Sequence, residues 1–125
     1  MKQKSNASRL PGLRIRVDFS AAHALGPGKV RLLELIDDTG SISAGGRGLR
    51  MSYRRAWLLV EALNSTFDVP LVIAQKGGGG GGGARLTEAG KQVVRLYRDI
   101  EARAGKAADS DLRALSRMLA ASARA

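Results

Sequence analysis

Apolar and polar side chains alternate in the stretch LRIRVDF, residues 13–19. The apolar positions are Leu13, Ile15, Val17 and Phe19, and the polar ones are Arg14, Arg16 and Asp18. A period of two predicts a half-buried β-strand. The next segment, SAAHALGPG at 20–28, is predicted to be a loop because Gly26, Pro27 and Gly28 interrupt regular structure.

Two helices are predicted next. Residues 29–39 place Val30, Leu32, Leu33, Leu35 and Ile36 on a buried side, and Gly40 is expected to end the helix. Residues 41–50 predict a short helix capped by Ser41 or Ser43, with Ile42 and Leu49 facing the core. Its three glycines, Gly45, Gly46 and Gly48, each cost about 0.8–1 kcal/mol of helix stability relative to alanine. This helix therefore needs tertiary support or close backbone packing.

Residues 51–67, MSYRRAWLLVEALNSTF, carry the clearest helical pattern. Ser52 is a good N-cap residue. The apolar positions Ala56, Leu59, Val60 and Leu63 recur with helical spacing and define the buried side. Arg54, Leu58 and Glu61 lie opposite them.

A hairpin and further helices are predicted in the second half of the chain. Residues 69–76 predict a strand, the glycines 77–83 a loop, and residues 84–86 a returning strand. Thr87 caps a long helix whose inward positions are Ala89, Val93, Leu96, Tyr97 and Ile100. The pattern pauses at 105–109, which predicts a separate last helix over 109–124.

This element order predicts a mainly α fold with a small β-hairpin wing, a winged helix-turn-helix with additional C-terminal helices. The glycine run is then the tip of the wing, where backbone N–H groups could approach phosphate oxygens. We expect a disordered basic arm at 1–12, the winged helix-turn-helix at 13–104, and a C-terminal dimerisation helix at 105–125.

Charge favours a polyanionic partner. The 125 residues carry 21 basic and 11 acidic groups, a net charge of +10 that is spread along the chain. From Ser41 to Val60 there are four arginines and no acid. There is no cysteine, no apolar stretch of membrane-spanning length and no signal-peptide pattern, so we expect a cytoplasmic location without membrane contact.

Three stretches carry a family resemblance: LGPGKVRLLELIDDTGSIS, LRMSYRRAWLLVEALN and GGGGARLTEAG. Together they resemble the N-terminal DNA-binding domain of the molybdate-responsive ModE family, one of the LysR-type winged helices. The resemblance implies a homodimeric bacterial transcription regulator, in our interpretation a repressor. It also implies that the helix at 52–64 enters the major groove of double-stranded DNA.

The sequence departs from this family in three places. Alanines are usual in the family where Gly45, Gly46 and Gly48 stand here, and an acid is often found at the position of Leu58. Full-length members also carry C-terminal molybdate-binding domains. Because the chain ends at Ala125, we expect no molybdate site in it.

Candidate DNA contacts come from the second and third helices and the wing. They are Arg47, Arg50, Ser52, Tyr53, Arg54, Arg55, Trp57, Lys76, Gly79, Gly80 and Arg85. Arg54 and Arg55 lead, because arginine binds guanine O6 and N7 in bidentate fashion and also holds phosphates. The alternatives are a solvated charged face for the arginines, a capping role for Ser52 and a core-edge position for Trp57. Dimer contacts are predicted at Val94, Tyr97, Leu112, Leu115 and Leu119.

Catalysis is not indicated, and no cofactor or metal is expected. His23 is the only histidine and has no second ligand nearby in sequence. Asp37 and Asp38 close a helix as solvated acids, and the glycine run lacks the Gly-Lys-Ser/Thr ending of a phosphate-binding loop. Two other functions stay open: an RNA-binding module, and a dimerisation or adaptor protein that has lost DNA binding.

Overall fold

The computed structural model describes residues 10–76 and 82–124. Its elements are β1 (Val17–Asp18), β2 (Ala24–Leu25), α1 (Pro27–Thr39), α2 (Ile42–Gly48), α3 (Tyr53–Thr66), β3 (Val72–Lys76), β4 (Gly82–Leu86) and α4 (Glu88–Arg117), followed by a 3₁₀ turn at Ala121–Ala123. The predicted fold, mainly α with one hairpin wing, is confirmed. The chain divides into two compact units, residues 16–96 and residues 10–15 with 97–124.

The first unit is built on a core shared by α1, α3 and the hairpin. Its buried side chains are Leu25, Val30, Leu32, Leu33, Ile36, Ala56, Val60, Leu63, Leu71, Val72, Ala84 and Leu86. The predicted apolar stripes of α1 and α3 supply most of them. Leu35, Ile42, Leu49 and Leu59, also expected inside, are half-buried.

The predicted end of α1 and the predicted N-caps of α2 and α3 are confirmed, whereas α1 begins at Pro27, inside the predicted loop. Gly40 ends α1 with a left-handed φ of 74°, and its N–H donates to the Ile36 carbonyl oxygen. Ser41, rather than Ser43, caps α2 by accepting from the Ala44 N–H at 3.0 Å. Ser52 caps α3 by accepting from the Arg55 N–H at 3.1 Å.

Close packing explains two of the glycines in α2. A Cβ atom on Gly45 would lie 3.0 Å from Ile36 Cγ1, and one on Gly46 would lie 2.8 Å from Ala56 Cβ. Both glycines are buried. The helix obtains through this contact with α1 and α3 the tertiary support that its composition requires.

The hairpin pairs β3 with β4 in antiparallel register, Val72 opposite Leu86 and Lys76 opposite Gly82. Gly82 and Gly83 are therefore strand residues, and the rest of the glycine run lies outside the described residues. The base of the hairpin meets the start of α4, where Thr87 Oγ1 donates to the Pro70 carbonyl oxygen at 2.8 Å and accepts from the Gly90 N–H at 3.0 Å.

The prediction of one strand over 13–19 and a plain loop over 20–28 was wrong. Only Val17–Asp18 forms a strand, and it pairs with Ala24–Leu25 inside the predicted loop. Two residues on each side suffice for this small ladder, because the Phe19 and Ser20 N–H groups donate to the His23 carbonyl oxygen and turn the chain back. Phe19, expected inside, is exposed and meets Phe67 edge to face.

The second unit joins residues 10–15 to residues 97–124. The predicted pause at 105–109 was wrong, because α4 continues unbroken to Arg117. One glycine costs a helix only about 1 kcal/mol, and the neighbouring alanines and lysine are good helix formers. An ion pair of 2.6 Å from Arg113 to Asp109 adds support across the same turn.

Inward positions of α4 were also partly misassigned. Tyr97 is buried as predicted, whereas Leu96 and Ile100 are exposed. Arg98 and Glu101 occupy buried positions instead, joined by a 2.7 Å ion pair. Helical spacing counted only apolar residues, so a buried charged pair at i and i+3 escaped it.

Candidate nucleic-acid interface

The turn between α2 and α3 is held by backbone hydrogen bonds. The Leu49 and Met51 N–H groups both donate to the Gly46 carbonyl oxygen at 3.0 Å. Arg50 takes a left-handed φ of 58°, which is uncommon for a residue with a side chain. These contacts fix the direction in which α3 leaves the turn.

The N-terminal half of α3 presents a basic outer face. Tyr53, Arg54, Arg55 and Trp57 are all exposed, while Ala56 and Val60 on the other side are buried. Within residues 10–76 and 82–124, no acid forms a salt bridge with Arg54 or Arg55. Both guanidinium groups are therefore available to a ligand.

The two aromatic side chains lie between α3 and the hairpin. Tyr53 and Trp57 line a groove of about 450 Å³, whose opposite wall is formed by Ile73, Ala74 and Gly83. Trp57 remains 43% exposed. Its core-edge interpretation therefore holds only in part, since the indole borders an open groove.

The other predicted arginines are exposed as well. Arg47 donates from Nη1 to Ser43 Oγ at 2.8 Å, which holds its side chain along α2. Arg50 follows at the turn. Arg85 is exposed on β4. For Lys76 the structure describes the backbone, in β3, and Gly79 and Gly80 lie outside the described residues.

Sequence reasoning missed two cationic side chains that lie near Arg55. A cavity of about 340 Å³ is lined by Arg16, Lys29 and Arg55, together with Met51 and Leu59. Arg16 also pairs with Asp18 at 2.7 Å, and Lys29 donates to the Ala24 carbonyl oxygen at 2.9 Å. Arg16 directly precedes β1, and Lys29 is bonded to β2, so the small β1–β2 ladder places both side chains beside the cavity. The predicted strand over 13–19 had no partner strand, so it gave no indication of this arrangement.

Asn64 was also missed. Its Oδ1 accepts from the Leu71 N–H at 2.8 Å and the Val72 N–H at 3.1 Å, and its Nδ2 donates to the Val72 carbonyl oxygen at 3.0 Å. This half-buried amide joins the end of α3 to the first strand of the hairpin. A polar residue on the border of an apolar stripe was the available signal.

The predicted dimer residues differ in their accessibility. Leu115 and Leu119 are exposed, and Val94 and Leu112 are half-buried. Leu119 lies beyond the end of α4. Tyr97 is buried in its own chain, and its hydroxyl donates to the Ile15 carbonyl oxygen. Burial, followed by the negative charge of Glu101, raises the pKa of Tyr97, although Arg98 opposes this. A side chain enclosed in this way does not fit the predicted dimer surface.

The described residues offer neither a cluster of metal ligands nor a membrane-spanning helix. In the part of the chain that the structure describes, His, Asp and Glu side chains form no group of three that could hold a metal ion. No helix among the same residues is long and apolar enough to cross a membrane.

Three helices with a fixed α2–α3 turn, followed by a two-stranded hairpin, define a winged helix-turn-helix protein. The model of the bacterial regulatory helix-turn-helix proteins of the lysR family matches residues 28–91. The chain belongs to this family.

Curated relatives resemble the same region. The chain is 32% identical over 88 residues to the molybdenum transport protein ModE of Azotobacter vinelandii, covering 70% of this chain and 33% of the relative. It is 42% identical over 82 residues to the molybdenum-pterin-binding protein MopB of Rhodobacter capsulatus, covering 66% and 30%. Identity to the DNA-binding transcriptional dual regulator ModE of Escherichia coli is 37% over 71 residues, covering 57% and 27%. The chain thus spans about a third of the length of these relatives.

A solved structure shares the fold. The CbnR DNA-binding domain, from the crystal structure of its complex with DNA, aligns with a TM-score of 0.53 at 22% identity. The alignment covers 70% of this chain and 94% of that one. This similarity supports the winged helix-turn-helix architecture.

Proposed function

We propose that this chain binds duplex DNA in a sequence-specific manner and regulates transcription, with α3 lying in the major groove. The observation that carries the proposal is the outer face of α3, where Arg54 and Arg55 are exposed and unpaired by any described acid. The turn and the caps of α2 and α3 hold this face in position. The relatives named as regulators and the DNA complex of a similar fold support the same function.

Electrostatic attraction supplies much of the proposed affinity. The segment 41–60 contains four arginines and no acid, so no negatively charged side chain in it repels the phosphates. Each phosphate that is neutralised releases counterions and gives a log–log salt slope near −0.9. Arg47, Arg50 and Arg85 serve as phosphate contacts in this arrangement, and Lys76, Gly79 and Gly80 stay predictions.

Selection of bound sequences from random duplex DNA tests the proposal, followed by titration of the selected site at increasing salt. We expect a recurring sequence and an affinity that falls steeply with salt. Binding that shows no sequence preference, or that ignores salt, would contradict the proposal.

A dimer is proposed as the binding species. A single winged helix contacts only a few base pairs, so two copies are needed for selectivity in a genome. Leu115 and Leu119 are exposed apolar side chains near the C-terminal end of α4 and beyond it, and such surface favours burial against a second copy. The two α3 helices would then read half-sites about 34 Å apart, or a multiple of that distance.

Repression is the proposed regulatory outcome, since occupation of an operator excludes other proteins from it. The proposed location is the cytoplasm. A reporter gene placed under the selected operator tests whether the protein represses or activates transcription. Reporter output should rise when the gene for this chain is deleted, and a fall would indicate activation instead.

Two alternative functions are weighed against duplex DNA binding: RNA binding and an adaptor role. The exposed rings of Tyr53 and Trp57 could stack on unpaired bases, which favours RNA as a second candidate. Competition between the selected duplex and hairpin RNA distinguishes them. The adaptor alternative depended on a weak α2, whereas the close packing of Gly45 against α1 and of Gly46 against α3 supports this helix.

Molybdate binding is not part of the proposal for these residues. Its absence stays a prediction that calorimetry tests, with sulfate as the control anion. A saturable heat selective for molybdate would contradict it.

A further inference from the structure

A leucine lies on the outer side of α3, between Arg54 and Glu61. Arg54, Leu58, Glu61 and Ser65 follow one another at i, i+4, i+7 and i+11, so they form one outward ridge. All four are exposed, and the helix buries Ala56, Val60 and Leu63 on its far side. Leu58 itself is 50% exposed.

The position of Leu58 separates it from the two aromatic residues of α3. Tyr53 and Trp57 border the groove beside the hairpin. Leu58 borders neither that groove nor the basic cavity that contains Arg55. Leu58 lies on the side of α3 opposite the buried Ala56, Val60 and Leu63, and in the proposed complex this side faces the major groove.

An alkyl side chain at this place cannot bind a phosphate or donate to a base. The major groove offers one apolar group, the C5-methyl of thymine, and apolar side chains recognise it by contact. Contact with that methyl would remove apolar surface of Leu58 from water. Resting on the proposed DNA binding, we propose that Leu58 is a specificity-determining residue that selects a thymine through its methyl group.

The spacing on the helix predicts where this thymine lies. Leu58 is four residues after Arg54, a rise of roughly 6 Å along the helix axis. Base pairs in duplex DNA are spaced by about 3.4 Å. The thymine therefore lies one or two base pairs from the position that Arg54 contacts.

Uracil substitution isolates the methyl group, because uracil keeps every hydrogen-bonding atom of thymine. In the duplex obtained by selection, each thymine is replaced by uracil one at a time, and the affinity of the full chain is measured. At one position we expect a loss of about fourfold, the value of one buried methyl group. In Leu58→Ala the loss at that position should disappear, while the other positions behave as before.

Val69→Ala is a matched control, since Val69 is an apolar residue that is also 50% exposed but lies outside α3. It should retain the uracil effect. Circular dichroism measures whether Leu58→Ala folds. If that variant unfolds, Leu58→Met replaces it in the comparison. The loss of affinity on replacing thymine by uracil should then differ from that of the original chain.

The outcomes separate this proposal from the proposed function. Sequence-specific duplex binding with no uracil effect, or with the same effect in Leu58→Ala, overturns the thymine contact and leaves DNA binding intact. A selected site without thymine near the Arg54 position overturns it as well. Failure to select any duplex contradicts the proposed function itself.

Discussion

The side-chain amide of Asn64 makes two hydrogen bonds with the backbone of Val72. Nδ2 donates to the Val72 carbonyl oxygen at 3.0 Å, and Oδ1 accepts from the Val72 N–H at 3.1 Å. Since Oδ1 also accepts from the Leu71 N–H, one residue of α3 satisfies three backbone groups at the start of the hairpin. The end of α3 and the first strand of the hairpin are thereby joined by a fixed contact.

Replacement of Asn64 should destabilise the winged unit. In Asn64→Ala, three half-buried backbone groups lose their partner, and we expect the free energy of unfolding to fall by about 2–3 kcal/mol. Asn64→Asp keeps the acceptor but loses the donor, so its loss should be smaller. Urea denaturation measures both.

Ser65→Ala provides the control for Asn64, because Ser65 is the exposed neighbour and bonds only within α3. Its effect should stay within about 0.5 kcal/mol. An Asn64→Ala variant as stable as Ser65→Ala would contradict the structural role.

Substitution of Arg54 should distinguish a base contact from a phosphate contact. If Arg54 contacts a guanine, Arg54→Ala relaxes the preference at one position and costs about 1–3 kcal/mol there. If it contacts a phosphate, affinity falls equally for all sequences and the salt slope decreases by about 1. Binding to a panel of single-base variants of the selected site measures the difference. Arg113→Ala makes the same change of charge on α4 and should leave the base preference as it was.

Gly90 is expected to tolerate no side chain. A Cβ atom at this position would clash with the Leu71 carbonyl oxygen, so Gly90→Ala must push the start of α4 away from the hairpin. Overpacking of this kind costs about 1–3 kcal/mol despite the better helix propensity of alanine. Thermal unfolding measures the loss.

Gly28→Ala is the matched comparison for Gly90, since it lies in α1 with no atom within 4 Å of the added Cβ. Here we expect a gain of up to about 1 kcal/mol. Equal effects of the two substitutions would show that the Leu71 contact is unimportant.

The Tyr97 hydroxyl should make stability depend on alkaline pH. The pKa of Tyr97 in the folded chain is raised above 10.0, mainly because burial disfavours the phenolate. The unfolded chain then loses this proton first, so the contribution is complete below pH 10 and is lost as pH rises through the folded pKa. Tyr97→Phe should flatten that decline and lower stability at neutral pH by about 1 kcal/mol, through loss of the bond to Ile15. Denaturation at a series of pH values tests both effects, and an unchanged decline in the variant would refute the assignment.

A charge at Leu115 should weaken the proposed dimer. We expect the intact chain to sediment as a dimer at tens of micromolar and Leu115→Glu to shift it toward monomer, because a carboxylate is costly to bury at an apolar contact. Val69→Glu changes an exposed apolar residue in the same way elsewhere and should leave the dimer unaffected. A monomeric intact chain would exclude this mode of assembly under those conditions.

Local signals predicted the winged unit well, and for identifiable reasons. Ser52 and Gly40 act through their own backbone neighbours, so a few residues of sequence contain the whole effect. Asn64 and the Arg98–Glu101 pair instead depend on partners fixed by tertiary structure, and a pattern of apolar residues contains no information on them. The pause in the apolar pattern at 105–109 led to a wrong prediction of a helix break. It reflects greater exposure of the side chains in this part of α4, and good helix formers are enough for the helix to continue.

Both strands of the hairpin are held by groups outside it: β3 by Asn64 at Val72, and β4 by the Ala84 N–H, which donates to the Gly40 carbonyl oxygen at 2.9 Å. Hairpin register is usually set by the type and length of the turn. Here the two external anchors set it, since each strand has its own attachment to the helices. The number of glycines in the run can therefore change by insertion or deletion without moving Val72 or Ala84.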